Sequence, residues 1–433
     1  MGSRNPAAHR RRLGHAFNRL WVGFACASSG DGLAAGAIPL LAITVNPHPL
    51  AVSAVVAADS LPWLLMALPA GAFADRFQRG PVAVISNGLR AFIILLSALL
   101  ILSDKMTLML LILIVLVNAS ARAFFYSSYQ ALFPEIIDSR DLEHANGVLT
   151  GTEAGTEHLA GPVAGTSLFA VARSLPFFAD AIVLVVSCFP FLGFRSRATH
   201  AGPSTSIWDG ARFLFADRRL RVLIAMVGSL SLLQGMEFGI LVLLATTEWG
   251  VREGAYGFFL AAGATGNLVG SVLADGRVRR FGSARTLLGA AVVSGLGYLV
   301  MASATSWALA GPAFVVVGIA VGVGAVVANS VRQRLTPHDM MGRVGSASRG
   351  IVWGAAPIGA LAAGGLATLS GLRTPLMVAG VLQCVVALLL ARPLLRNIQD
   401  DRRRGAANGR RRRASGTQGT PAQATSSGNV DPV

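Results

Sequence analysis

Uncharged apolar stretches recur along this chain, and together with their flanks they reach membrane-crossing length again and again. Ile93–Leu102, Leu108–Val117, Ile182–Val186, Phe314–Ala328 and Val378–Ala391 carry almost no charge. A helix needs about 20 mostly apolar residues to cross a bilayer. Of the 433 residues, 53% are hydrophobic and only 13% charged, against about 25% charged in soluble domains. A soluble chain of this length would divide into two or three domains with polar surfaces. The pattern is that of an integral membrane protein.

The net charge of +16 is unevenly placed. Lys105, Arg173, Arg252 and Arg373 fall in one set of alternate loops, and Arg90, Arg122 and Arg349 fall inside apolar segments. The other 30 basic residues lie in the opposite loops and both tails. That asymmetry follows the positive-inside rule and predicts a cytoplasmic N-terminus, central loop and C-terminus. The basic tails lack interleaved aromatics, which argues against nucleic acid as a partner. Cys26, Cys188 and Cys384 lie far apart within apolar segments, with neither metal-ligand spacing nor a disulfide framework. The Arg-rich start leads into an apolar stretch that runs past Leu40, too long for a signal-peptide core, so an uncleaved first helix is expected.

Charge, proline and glycine punctuate the chain into twelve expected spans, near 17–45, 50–74, 82–103, 106–132, 147–172, 175–194, 221–246, 254–275, 283–304, 307–332, 345–370 and 373–395. The expected organisation is a cytoplasmic tail (1–15), a six-helix bundle (16–195), a linker (196–220), a second six-helix bundle (221–397) and a disordered basic tail (398–433). Within the linker, Trp208–Arg221 has the pattern of a basic amphipathic helix on the inner membrane surface. The tail's arginines near 402–413 would be drawn to anionic headgroups. A weak internal duplication links the halves. Gln130-Ala-Leu132-Phe-Pro134 answers to Gln333-Arg-Leu335-Thr-Pro337, and Ile38–Ala42 to Leu241–Ala245, both at an offset of 203. Asp75 and Arg79 answer to Asp275 and Arg279 at 200, and Pro162 to Pro357 at 195. Two repeated halves around a midplane site is a transporter architecture.

The second span ends in Gly71-Ala-Phe-Ala-Asp75-Arg76-Phe-Gln-Arg79-Gly80. Gly71 permits close helix approach, and the charges that follow can bond a partner helix terminus and lock one conformation. This segment resembles the loop 2–3 signature of the major facilitator superfamily, roughly G-x-x-x-D-R-x-G-R-R/K. Gln78 and Gly80 depart from it; the second half keeps Asp275 and Arg279 but has Ser271 for the glycine. Gly161-Pro162-Val-Ala-Gly165-Thr166 resembles the G-P-x-x-G-G core of the superfamily's antiporter motif, with Thr166 in place of the last glycine and Glu157 at a position often held by glycine. Proline and glycine there make a pliable, closely packed helix. Asn18-Arg-Leu-Trp21, Ser29-Gly-Asp31, Leu61-Pro-Trp63-Leu-Leu, Arg122-Ala-Phe-Phe, Pro134-Glu135, Ala145-Asn146-Gly147 and Gly342-Arg343-Val344 are similar to segments of the macrolide-efflux and enterobactin-exporter branch. The resemblance spans residues 15–397. It implies an all-α, twelve-helix facilitator fold of two pseudo-symmetric bundles, and export of drug-like or siderophore-like molecules in exchange for protons, with no cofactor beyond the proton gradient. It implies a monomer in the cell membrane, in contact with lipid.

Ionisable side chains inside a bilayer cost several kcal/mol unless paired or hydrated, which makes each a functional candidate. Within the expected spans these are Asp31, Asp59, Arg90, Arg122, Glu153, Glu157, His158, Asp180, Glu237 and Arg349. Glu153 and Glu157 are four apart and share a helix face. A carboxylate that exchanges its proton near neutral pH can carry protons against cargo. The competing reading is that each acid pairs with Arg122 or Arg349 to hold helices together. Asp31 stands between two glycines, and its repeat mate Gln234 lies three residues before Glu237, so spans one and seven are polar at similar depth. Asp31, Asp59, Glu153, Glu157 and Glu237 are thus the proton-coupling candidates. Arg90 and Asp180 are expected near span ends as interface or packing residues, and His158 as a hydrogen-bonded core histidine. Trp63, Trp353, Phe124, Phe125 and Tyr126 could line an apolar cargo pocket.

The alternatives are uptake or facilitated flow of another solute, a membrane-embedded enzyme, and a sensor that kept the shape but lost transport. No H-E-x-x-H pair, G-x-G-D segment or Cys/His cluster supports an enzyme, and the number of intramembrane charges argues against a sensor.

Overall fold

In the computed structural model the described residues are 14–137, 141–194, 207–337 and 340–416, and for residues 66–76, 134, 207–208 and 397–416 the description is confined to the backbone. Every described element is helical: α1 (His15–Val45), α2 (Pro49–Arg76), α3 (Arg79–Leu102), α4 (Leu108–Ile136), α5 (Leu142–Glu153), α6 (Gly161–Val171), α7 (Leu175–Cys188), α8 (Ile207–Ala216), α9 (Arg218–Leu243), α10 (Tyr256–Phe281), α11 (Ser283–Ser303), α12 (Trp307–Leu335), α13 (Met341–Ser370) and α14 (Thr374–Gly416). Helix falls on each of the twelve expected intervals. Nine helical stretches among the described residues are long and apolar enough to cross a membrane. The second and sixth intervals hold the shorter apolar stretches Pro49–Leu65 and Leu175–Phe191, and the fifth is divided.

Three expectations are corrected. The fifth interval is not one regular helix: a π-helical turn, Ala154–Ala160, separates α5 from α6. It ends where Gly161-Pro162 begins. Proline brings no N–H and its ring crowds the carbonyl four residues back, and a wider turn relieves that crowding. The amphipathic helix expected over 208–221 is broken at Asp217, whose carboxylate caps α9 by accepting from the backbone N–H of Arg219 (2.7 Å) and Leu220 (3.4 Å). The tail expected to be disordered from 398 continues α14 as helix to Gly416. Arginine and alanine are good helix formers, and extending an existing helix avoids the cost of nucleation. Residues 1–13, the first part of the linker (196–206) and residues 417–433 lie outside the described residues.

The duplication is visible in the packing. Gly32 and Gly36 of α1 press on the fifth-span segment: a Cβ at Gly32 would stand 2.8 Å from the Gly161 Cα, and one at Gly36 3.0 Å from the Pro162 Cα. At the same offset of 203, Gly235 and Gly239 of α9 press on α13, at 2.8 Å from the Ala356 Cα and 2.9 Å from the Ala360 Cα. Small residues let membrane helices meet backbone to backbone, where no hydrophobic driving force separates protein from lipid.

Among the described residues, the buried apolar core that the halves share lies toward one end. Leu40, Val52, Val55 and Phe169 of the first half join Ile240, Trp249, Tyr256, Phe314 and Ala363 of the second in a single cluster near the α1–α2 turn. Polar contacts cross there as well: Ser53 Oγ donates to the Gly239 carbonyl (2.9 Å), Thr166 Oγ1 donates to the Gly254 carbonyl (3.3 Å), and Thr166 Oγ1 accepts from the Gly257 N–H (3.2 Å). Toward the end where α1 begins, the clusters separate. Phe17, Leu20, Phe24, Phe125, Tyr129 and Phe191 belong to the first half, and Leu223, Met226, Leu287, Val327 and Leu394 to the second.

The glycine contacts predict unequal costs of adding side chains. Gly32→Val and Gly235→Val should each destabilise by about 1–3 kcal/mol or more through overpacking. Gly88→Ala in α3, with nothing within 4 Å of its added carbon, should be neutral or slightly stabilising. Thermal unfolding in detergent measures all three.

Candidate functional site

Between the halves lies a cavity of about 540 Å³. Asp31, Ile38, Asp59, Arg122, Glu157 and His158 face it from the first half, and Gln234, Glu237, Phe238, Tyr256, Asn267 and Phe314 from the second. That volume lies within the range of small-molecule sites.

The first-half wall is held by a buried ionic network. Arg90 of α3 is 0% exposed and spends each guanidinium nitrogen. Nη2 pairs with Asp31 Oδ1, Nη1 donates to Asn87 Oδ1 (3.2 Å), and Nε donates to Asn118 Oδ1 (3.2 Å). Asn87 in turn donates to Ser187 Oγ (2.9 Å) on α7. Arg122 of α4 stands between two acids, 3.6 Å from Asp31 Oδ1 and 3.4 Å from Asp59 Oδ2, with its guanidinium 5.4 Å from the centre of the Trp63 ring. Beside it the Tyr126 hydroxyl lies 3.2 Å from Glu157 Oε2 and 3.4 Å from Glu153 Oε1, and can donate to one at a time. Glu157 borders the cavity at the π-helical turn, and Glu153 sits one turn away. π-Turns in helices are frequent at functional positions. The second-half wall is simpler: Tyr298 of α11 donates to Glu237 Oε2 (3.1 Å).

Several expected site residues sit elsewhere or play other parts. Arg90 and Asp180, expected as interface or packing residues, are both packed inside the first half, and Asp180 lies against Gly30, beside the Asp31–Arg90 pair. Arg90 stands within the uncharged run of α3, and an arginine so placed was the signal available in the sequence. His158 is exposed to the cavity rather than packed in a core. Arg349 does not reach the acids; it donates to Ser346 (3.3 Å) one turn back on α13, because its helix places it near the end where the halves separate. None of Trp63, Trp353, Phe124, Phe125 and Tyr126 lines the cavity. Phe125 is packed in the first-half core, and Trp63 meets Trp353 edge-on at 4.9 Å across the halves. The cavity's aromatic surface comes instead from Phe238, Tyr256 and Phe314. Gly161, Pro162 and Gly165 pack against α1. Of the loop signature, Gly71, Asp75 and Arg76 lie where only the backbone is described. Arg79 donates to the Ala131 carbonyl (2.8 Å) near the end of α4 and pairs with Glu135, a tie inside one half. Asp275 and Arg279 pair with each other on one exposed helix face. Among the described residues no group of three metal-binding side chains occurs.

The sequence profile of the Major Facilitator Superfamily matches residues 20–356 and again 229–424. The chain belongs to this superfamily. It is a multi-pass membrane protein and a transporter by family. The multidrug efflux pump Tap of Mycolicibacterium fortuitum is 28% identical over 390 residues, 84% of this chain and 93% of that protein. Among solved structures, a bacterial homologue of the iron transporter ferroportin is 19% identical. Its inward-facing form has a TM-score of 0.68 over 87% of this chain and 98% of that one, and its outward-facing form 0.57 over 88% and 98%. A bacterial homologue of the human lysosomal transporter Spinster, inward-facing and occupied, is 12% identical with a TM-score of 0.70 over 91% and 99%. These structures share the fold.

In the transporter, Arg90→Gln would strand the Asp31 carboxylate. Breaking one side of a buried ion pair costs about 3–5 kcal/mol, so the variant should melt well below wild type, and Asp31→Asn added to it should restore part of the loss. Melting of Arg90→Gln at the wild-type temperature would remove the network's structural role.

Proposed function

We propose that the protein is a proton-coupled exporter of drug-like or siderophore-like small molecules working by alternating access, with its termini in the cytoplasm. The observation that carries this reading is Arg122, shared by Asp31 and Asp59 at the wall of a cavity between two halves whose shared buried apolar core, among the described residues, lies toward one end. In the first half, Asp31, Asp59, Glu153, Glu157 and Asp180 outnumber Arg90 and Arg122. A proton can take the place of a cation at such an acid. Neutralising Asp59 or Asp31 would release Arg122 toward the other, and so shift α2 or α1 against α4. Binding that differs between two packings is what moves a two-state carrier. The positive-inside charge pattern puts the separated end of the halves on the cytoplasmic side, which supports loading from within. The likeness to an efflux pump points the same way.

The test is cargo-dependent proton movement in inverted vesicles holding the purified protein, across a panel of drugs and siderophores. Proton release coupled to cargo uptake is expected; transported cargo with no proton movement sinks the antiport mechanism. Glu157→Gln, at the cavity, should abolish coupling while the protein inserts normally. Glu153→Gln, a turn further off, should reduce it through the shared Tyr126. Unchanged coupling in both would reassign the pair to packing.

A further inference from the structure

The two halves hold an acid at related places but satisfy it differently. In the first, Asp31 of α1 meets the guanidinium of Arg90 on α3. In the second, Glu237 of α9 meets α11, the third helix of its half, and finds a phenol: Tyr298 donates to Oε2 at 3.1 Å. The Glu237 side chain is buried, 1% exposed. Its Oε1 has no hydrogen-bond partner, and no ion pair reaches it among the described residues. A phenol gives one hydrogen bond and no charge. Leaving a buried carboxylate oxygen unmatched is costly. Glu237 also borders the cavity, whose neighbouring wall is apolar, formed by Leu260, Phe314, Val317 and Val321.

We infer that Glu237 is the anchor for the protonated amine of an amphipathic cargo, the place in the second half that Arg90 fills internally in the first. The ammonium N–H bonds Oε1, and the cargo's apolar body lies on Phe314 and its aliphatic neighbours. Tyr298 positions the carboxylate. A charge-assisted bond is about twice as strong as a neutral one, and Glu237 is itself only 1% exposed. An anionic cargo finds no equivalent partner, because Arg122 across the cavity is already engaged by two acids. At Glu237 itself a metal ion finds one carboxylate, where it would need several ligands. The inference rests on the transport reading and adds the cargo's chemical class to it.

The experiment is equilibrium binding to the full-length protein in lipid nanodiscs, with no proton gradient, followed by dansyl fluorescence. The probes are dansylcadaverine, a primary amine on an apolar fluorophore, and its N-acetylated derivative, which keeps the body and lacks the charge. Wild type should bind the amine about 10- to 100-fold more tightly, as expected for one hydrogen bond to a charged group. Glu237→Gln should remove that preference by weakening the amine and leaving the acetylated probe unchanged. Equal binding of the two probes to wild type, no binding of the amine, or an intact preference in Glu237→Gln overturns the assignment. The wild-type comparison needs no variant, so equal binding of the two probes overturns the assignment even where Glu237→Gln fails to fold. Since binding is read without transport, a clear amine preference alongside absent proton-coupled export would overturn the exporter mechanism and leave the anchor standing. The converse result separates them as cleanly.

Discussion

A charge inside a bilayer survives only where protein replaces the water it has lost, and Arg90, with all three guanidinium nitrogens bonded and one of them to Asp31, meets that condition. Asp31 and Arg90, with Asn87, Asn118 and Ser187, bring together α1, α3, α4 and α7, four of the helices of the first half. With Arg90 saturated, the remaining charge on Asp31 is shared with Arg122, which faces the cavity and also holds Asp59. The network is therefore rigid at its buried end and adjustable at its cavity end. A cation divided between two acids from two helices can pass wholly to either.

The halves meet through surfaces that suit such adjustment. Among the described residues their common buried apolar core lies toward one end, and the polar ties that cross it come from Ser53 and Thr166, each through a single hydroxyl. Neutral hydrogen bonds contribute only about 0.5–1.5 kcal/mol each, so this closure can be broken and remade. Glycines bring α1 onto the fifth span and α9 onto α13 at backbone contact inside each half, and Gly257 and Gly364 do the same across the seam, against Pro162 and Leu50.

The walls of the cavity differ in kind. The first-half wall carries acids that answer to guanidinium groups and to the Tyr126 phenol, and the second carries Glu237 with a phenol alone. Duplicated architecture thus supports two chemical environments facing one space. The π-helical turn at Ala154–Ala160 adds to the asymmetry, because it places Glu157 and His158 at the cavity where the second half has the regular helix of α13.

The sequence by itself determined the helical class, the membrane setting, most span boundaries and the duplication, because length, apolarity and charge placement are properties of local runs. It also singled out Asp31, Asp59, Arg122, Glu157 and Glu237, since an ionisable residue within an apolar run is conspicuous without a structure. The pairing of those groups was decided only in three dimensions. Arg90 and Asp180 were expected at span ends and proved to be buried beside Asp31, while Arg349 was expected beside the glutamates and proved to lie near the end where the halves separate. Depth along a helix and rotation about it set which charge meets which. A single residue is one-tenth of a bilayer crossing at most but about 100° of rotation, so an uncertainty of a few residues in a span's edge leaves its neighbours undetermined. The aromatic surface of the cavity was hidden for the same reason: Phe314 and Tyr256 resemble ordinary lipid-facing or core residues until the halves are brought together around them.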